Sequence, residues 1–217
     1  MGLLLLMALA FTTTADTLDI RFVGNAGFVI SDGTVSLVTD LPYRSGAFGY
    51  MTYDLDDVRP PGRVVAVITH RHDDHFDHDA FLASGWEIVG PREVTDRLPA
   101  DRVVPLESAV SVGQFTITPL GTPHSGTEHY SYIIEWQGRR LYLTGDTEDP
   151  TQLLATEALD IAFVTPWLMC EVSRRGGSIQ TSQIVLHHQQ PDRTPRACLP
   201  SRSLAQGQGF TLASEVP

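Results

Sequence analysis

The stretch Thr69-His70-Arg71-His72-Asp73-Asp74-His75-Phe76-Asp77-His78 stands at the end of the apolar run Val64 to Ile68. It holds four of the eight histidines. A continuous run of five apolar residues reads as a strand buried on both faces. Imidazoles and carboxylates just past such a strand sit on a fixed backbone, and they are the donors a borderline divalent metal takes. A histidine-rich tract alone proves little. The reading therefore turns on whether the rest of the chain supplies the missing ligands.

Later stretches of the chain supply candidates. His124 follows the apolar stretch FTITPL in the polar loop from Gly121 to Thr127, Asp146 follows RLYLT, and His187-His188 follow IVL. Each candidate falls at the C-terminal end of an expected strand, so together they form the rim of one sheet edge. His70 and His72, two apart on extended chain, point the same way, while the adjacent Asp74 and His75 must turn toward a second position. Two three-ligand sets sharing a carboxylate hold two metals roughly 3.5 to 4 Å apart. Asp40, at the end of the strand Val35 to Val38 and just before Pro42, is either an acceptor behind a ligand histidine or an Asx-turn acid. His78 and His129 read as ordinary loop or core residues.

His70-Arg71-His72-Asp73-Asp74-His75 matches the H-x-H-x-D-H signature, and on it the chain resembles the metallo-β-lactamase superfamily. The resemblance extends to FVGNAGF, the aspartate in VTDLP, the histidine in TPHSG, Gly145-Asp146-Thr147 and a late histidine, covering about Leu18 to Gln190. It implies an α+β fold, the four-layer αββα sandwich. It also implies one metal on His70, His72 and His124, another on Asp74, His75 and His188, and Asp146 bridging them, with Asp74 and Asp146 as the catalytic carboxylates. Two divalent ions are expected, zinc foremost, with manganese or iron as the others. His187 is the rival to His188 for the last position. Asp146 stands where antibiotic-degrading members carry cysteine or serine, which makes the chain look more like the metal-dependent hydrolases that include ascorbate-phosphate lactonase-like proteins. It departs from such relatives in showing only Cys170 to Gln183, with Arg174-Arg175-Gly176-Gly177 in the middle, where they carry a helix before the last histidine.

Three functions follow. The first is a hydrolase using a metal-bridged hydroxide on an ester, lactone, amide, thioester or phosphoester. The second is an iron-dependent oxidoreductase, such as a sulfur dioxygenase, on the same scaffold. The third is a metal-binding protein without turnover. Asp73 is either a proton-transfer group or a solvated loop acid. Specificity is expected in the loops Arg44 to Val58 and Met169 to Gln183, which name no substrate.

The remaining chain sets bounds. With 217 residues and 42% hydrophobic content there is room for a real core. The 26 acids outnumber 15 bases, all arginine, which argues against a phosphate-backbone binder and leaves a small molecule as the expected partner. Gly2 to Phe11 followed by Thr12-Thr13-Thr14-Ala15 resembles a secretory signal, too short for a stable membrane anchor. Residues 1–15 are thus expected to direct export to the periplasm or beyond, and 16–217 to form the domain. Cys170 and Cys198 lie 28 positions apart, which leaves pairing open, as the oligomeric state is. Among the elements, Leu18 to Ile30 reads as a hairpin turning at Gly24 to Gly27, and Asp77 to Ser84 as a helix capped by Asp77 with Phe81 and Leu82 inward. EIVG, RVVPL and FTITPL read as strands around a small helix near Glu93 to Leu98. Tyr130 to Glu135 and Arg140 to Thr144 read as a hairpin, with further strands at Asp160 to Thr165, Ile184 to Leu186 and Gly209 to Leu212.

Overall fold

The computed structural model describes residues 16–191, 193 and 195–215. The apolar run read as a secretory signal lies outside the described residues. Strands β1 (Thr17–Gly24), β2 (Gly27–Ser31), β3 (Val35–Thr39), β4 (Arg63–Val67), β5 (Glu87–Val89) and the last strand, β12 (Gly209–Ala213), form one sheet in the order β12-β1-β2-β3-β4-β5. The second sheet contains β6 (Val110–Val112), β7 (Phe115–Gly121), β8 (Tyr130–Trp136), β9 (Arg139–Leu143), β10 (Leu159–Val164) and β11 (Thr181–Leu186), in the order β11-β10-β9-β8-β7-β6. Both are mixed. Hairpin-connected strands pair antiparallel, whereas β3, β4 and β5, and likewise β9, β10 and β11, pair parallel and need crossovers.

Burial explains the layering. β2 and β3 are buried at every position because alternate side chains enter different cores. Phe28, Ile30 and Leu37 join Ile134, Leu143 and Phe163 between the sheets. Val29 and Val38 instead pack with Val58, Phe81 and Val94 of three short helices, α1 (Leu55–Val58), α2 (His78–Ser84) and α3 (Arg92–Thr95). On the far side, Ala162 and Val164 pack against Leu153 of α4 (Thr151–Ala155) and Leu168, Met169 and Val172 of α5 (Pro166–Arg174). The result is the expected helix–sheet–sheet–helix sandwich. Among the described residues no helix is long and apolar enough to cross a membrane.

Four local expectations change. Leu82 is 40% exposed, because α2 has one buried stripe and Phe81, a helical step of about 100° away, occupies it. RVVPL is no strand: it forms a 3₁₀ turn at Ala100–Arg102 and a single bridge from Val103 to Ile88. β6, too short to show a period, pairs with β7. Finally, a helix does precede the last histidines. It starts earlier than expected, where Thr165 Oγ1 accepts from Leu168 N and Pro166 fills the first turn, both strong start signals.

Cys170 on α5 is bonded to Cys198. The bond ties α5 to the segment after His188, and closing a loop of this length stabilises by roughly 3 to 4 kcal/mol in the chain-entropy view.

Candidate metal centre

The loops after β4, β7, β9 and β11 bring seven side chains together in two groups, His70, His72 and His124, and Asp74, His75, Asp146 and His188. Within each group the donor atoms lie within 4.8 Å of one another. All seven are residues expected from the sequence.

In the first group, His70 Nε2 lies 3.0 Å and His124 Nε2 3.3 Å from His72 Nδ1. The proton positions follow from the partners behind. Thr69 Oγ1 donates to the Asp40 carboxylate, so it can only accept from His70 Nδ1, 3.0 Å away. His70 therefore carries its proton on Nδ1 and turns a lone pair of Nε2 inward. Burial, then the neighbouring His75, hold the ring neutral by lowering its pKa.

In the second group, His188 Nε2 lies 2.9 Å from Asp146 Oδ2 and 3.1 Å from Asp74 Oδ2. His75 Nε2 lies 3.2 Å and 3.5 Å from the same two oxygens. His75 Nδ1 meets Asp40 Oδ2 at 3.0 Å, and Thr69 N donates to Asp40 Oδ1 at 2.8 Å. Asp40 is fully buried and thus anchors His75 while turning its Nε2 to the site, the arrangement that orients ligating histidines. His188 has φ 57, and this left-handed residue swings its ring into the group. His187 points away, with Nε2 3.0 Å from Thr144 Oγ1, and belongs to neither group. Asp73 is also outside both groups; it pairs with Arg44, half exposed. His78 pairs with Asp79 at the surface.

Two supporting residues have tasks that the sequence does not assign them. Asn25, in the β1–β2 turn, donates from Nδ2 to Asp74 O and accepts His188 N on its own carbonyl, so one turn clamps ligand candidates 114 positions apart (188 − 74). His129 accepts the amide of Asp146 on Nε2 at 2.9 Å. An asparagine in a Gly-Asn-Ala-Gly turn and a lone histidine look alike whether or not they serve a site, because their partners are distant in sequence.

The donors fit divalent metal. His75 Nε2, both ring nitrogens of His188 and Asp146 Oδ1 are buried without a hydrogen-bond partner, and such orphans cost free energy unless something else coordinates them. The short contacts among them lack hydrogen-bond directionality, so they converge on a shared centre rather than pair. Neutral imidazole and carboxylate, with no thiolate, suit zinc, manganese or iron. His70, His72 and His124 would hold one ion, and Asp74, His75, Asp146 and His188 a second.

Electrostatics sets a pH dependence. Burial opposes charge on His75, yet Asp146 and Asp40 outweigh it and raise its pKa well above the usual value; His188 is raised likewise, burial being outweighed by Asp146. A metal must displace those protons, so affinity rises with pH. Zinc affinity of the Asp74, His75, Asp146 and His188 group, measured by competition titration, is expected to climb through and beyond the ordinary histidine range, with about one to two protons released there. A flat profile would contradict the protonation scheme.

Beside the donors, Tyr50 and Trp167 stand edge-on to the His188 ring with centroids 4.3 and 4.7 Å away. A cleft of about 790 Å³ opens on the other side, lined by His124, His129, Tyr130, Glu148, Asp149 and Arg175 among others. Tyr50 comes from the expected specificity loop Arg44 to Val58, and Arg175 from Met169 to Gln183.

Two mixed sheets between helices, with histidine and aspartate donors converging from the strand ends, define a metallo-β-lactamase-fold protein with a candidate metal centre. The family model described as Beta-lactamase superfamily domain matches residues 19–166, more than half of the chain, and the chain belongs to that family. Its structure is similar to that of Igni18, a metallo hydrolase from Ignicoccus hospitalis, with 15% identity, a TM-score of 0.69 and 92% of this chain and 100% of that one covered. It is similar also to the metallo-beta-lactamase fold protein YhfI from Bacillus subtilis (15% identity, TM-score 0.64, 91% and 99% covered). CmlA, a diiron beta-hydroxylase from Streptomyces venezuelae, shares the fold over 81% of this chain and 45% of its own, with 16% identity and a TM-score of 0.57. No curated protein matches the sequence.

Proposed function

We propose that the chain is a binuclear metal-dependent hydrolase of a small-molecule ester, lactone, amide, thioester or phosphoester. One observation carries the reading: the two donor groups lie side by side, with the ring of His70 in one 4.1 Å between centroids from the ring of His75 in the other. His70, His72 and His124 would hold one divalent ion and Asp74, His75, Asp146 and His188 a second, and such ions would lower the pKa of a water toward about 7 and polarise a carbonyl or phosphoryl oxygen. The chain supplies the rest. Asp40 and Thr69 fix the tautomers of His75 and His70, Asp74 and Asp146 are kept ionised by the histidines facing them, and Tyr50 and Trp167 shield the His188 side from water. Substrate is expected in the cleft beside His124.

Metal analysis of the purified protein, followed by a panel of lactones, phosphodiesters and β-lactams, tests the proposal. Two equivalents of metal and metal-dependent hydrolysis of one class are expected. Absence of both would remove it. A second reading, an iron-dependent oxygenase, draws on the thiolate-free donor set and on the shared fold with a diiron hydroxylase. Iron in the purified protein with oxygen consumption in place of hydrolysis would favour it. We also infer export to an oxidising compartment: the apolar leader and the Cys170–Cys198 bond both support it.

A further inference from the structure

We infer that His129, which the sequence offers as an ordinary core residue, is a positioning residue that sets Asp146 for the metal pair and locks together the two loops carrying His124 and Asp146. The inference rests on Asp146 being a metal ligand, as proposed above.

The hydrogen-bond directions are determined from both ends of a chain of contacts. At one end, Ser131 Oγ donates its only hydrogen to the carbonyl of Thr144 at 2.7 Å, so it accepts from Thr122 Oγ1 at 3.0 Å. Thr122 Oγ1 has then used its own hydrogen and accepts from His129 Nδ1 at 2.8 Å. At the other end, the backbone N–H of Asp146 is a donor, so His129 Nε2 accepts it, at 2.9 Å. Both ends require the same form of the ring, protonated on Nδ1 and bare on Nε2. His129 is buried, and no water is needed to complete either contact.

The backbone is shaped to admit this contact. Gly145 has φ 57, and a Cβ there would stand 2.4 Å from His129 Nε2, 2.9 Å from its Cε1 and 2.9 Å from Thr69 Cβ. Only glycine allows the imidazole to reach the amide of the next residue. His129 also closes its own loop, since its carbonyl accepts Thr122 N at 3.2 Å, and His124 lies between those two residues. One imidazole therefore joins the base of the His124 loop to the turn that presents Asp146. Removing it frees the Asp146 carboxylate to drift relative to His124, and such supporting contacts hold metal affinity.

Two substitutions separate this role from packing. The Gln side chain reaches about where Nε2 sits and can accept the Asp146 amide, whereas Asn reaches only as far as Nδ1. Zinc titrated against a competing chelator is expected to bind His129→Asn about 10- to 100-fold more weakly than wild type for at least one equivalent. His129→Gln is expected to recover most of that loss. If His129 served packing alone, both variants would lower the melting temperature of the metal-free protein and their zinc affinities would not separate. Equal zinc affinity for His129→Asn and wild type would overturn the inference. A ¹⁵N-edited NMR spectrum of the wild-type protein decides it even where neither variant folds: the His129 ring is expected protonated on Nδ1, and protonation on Nε2 would overturn the inference as well. If wild type took up no zinc, the proposed function would fall and metal positioning with it, while the NMR result would still settle the contact to Asp146.

Discussion

Asp146→Asn is expected to lower kcat/KM for whatever substrate the panel identifies by about 10³-fold, since forfeiting about 4 kcal/mol of metal-centred charge stabilisation corresponds to that factor. The substitution keeps the shape and removes the charge. It leaves His75 and His188 facing an amide in place of the carboxylate oxygen 3.2 and 2.9 Å away. Metal content is expected to fall from two equivalents toward one. A variant that keeps both metals and full turnover would refute the role given to Asp146.

The same variant changes the metal-free protein in a direction that can be worked out. Burial raises the carboxyl pKa of Asp146, but His75 and His188 outweigh it and hold it well below the usual value. Its contribution to stability is therefore present above the unfolded carboxyl pKa and lost as pH falls through the folded one. His75 and His188 are raised, so theirs is complete below the unfolded value of 6.5 and declines as pH rises through their folded values. Melting temperature of metal-free wild type should accordingly fall at high pH, and Asp146→Asn should flatten that fall.

Asp40→Asn is the second large expectation. Asp40 never reaches the donors, yet it takes the Thr69 amide, the Thr69 hydroxyl and His75 Nδ1 on two oxygens. An amide turns one acceptor into a donor facing another donor. The conflict should cost about 1 to 3 kcal/mol of stability and about 10- to 100-fold in metal affinity. Asparagine suits the backbone there, whose φ is 44, so loss of the acceptor is the main change. Chemical denaturation and zinc titration read the two effects separately. An unchanged zinc affinity would show that His75 needs no such anchor.

The donors themselves were legible. HRHDDH follows a five-residue apolar run, and His124, Asp146 and His188 each follow another, so residue type and strand-end position pointed to them before any packing was known. Elements with a strong period or cap were legible too, as with Asp77 ahead of α2 and the Gln137-Gly138 hairpin. Short or irregular pieces were not. Three residues in β6 show no period, and RVVPL has strand composition but no neighbour offering a continuous ladder.

Residue type and period-two burial are local properties, so the chain's own pattern marks which side chains offer metal donors and on which strand ends they lie. Packing supplies what such local properties leave open. It puts His188 rather than His187 in the donor group through a left-handed backbone at the end of β11, and pairs Cys170 with Cys198 across a sequence gap that carries no spacing signal. It also gave Asn25 and His129 their tasks, since each acts through a hydrogen bond to backbone far along the chain. A hydrogen bond to a distant amide depends on where folding brings that amide, and no local pattern of side chains records it.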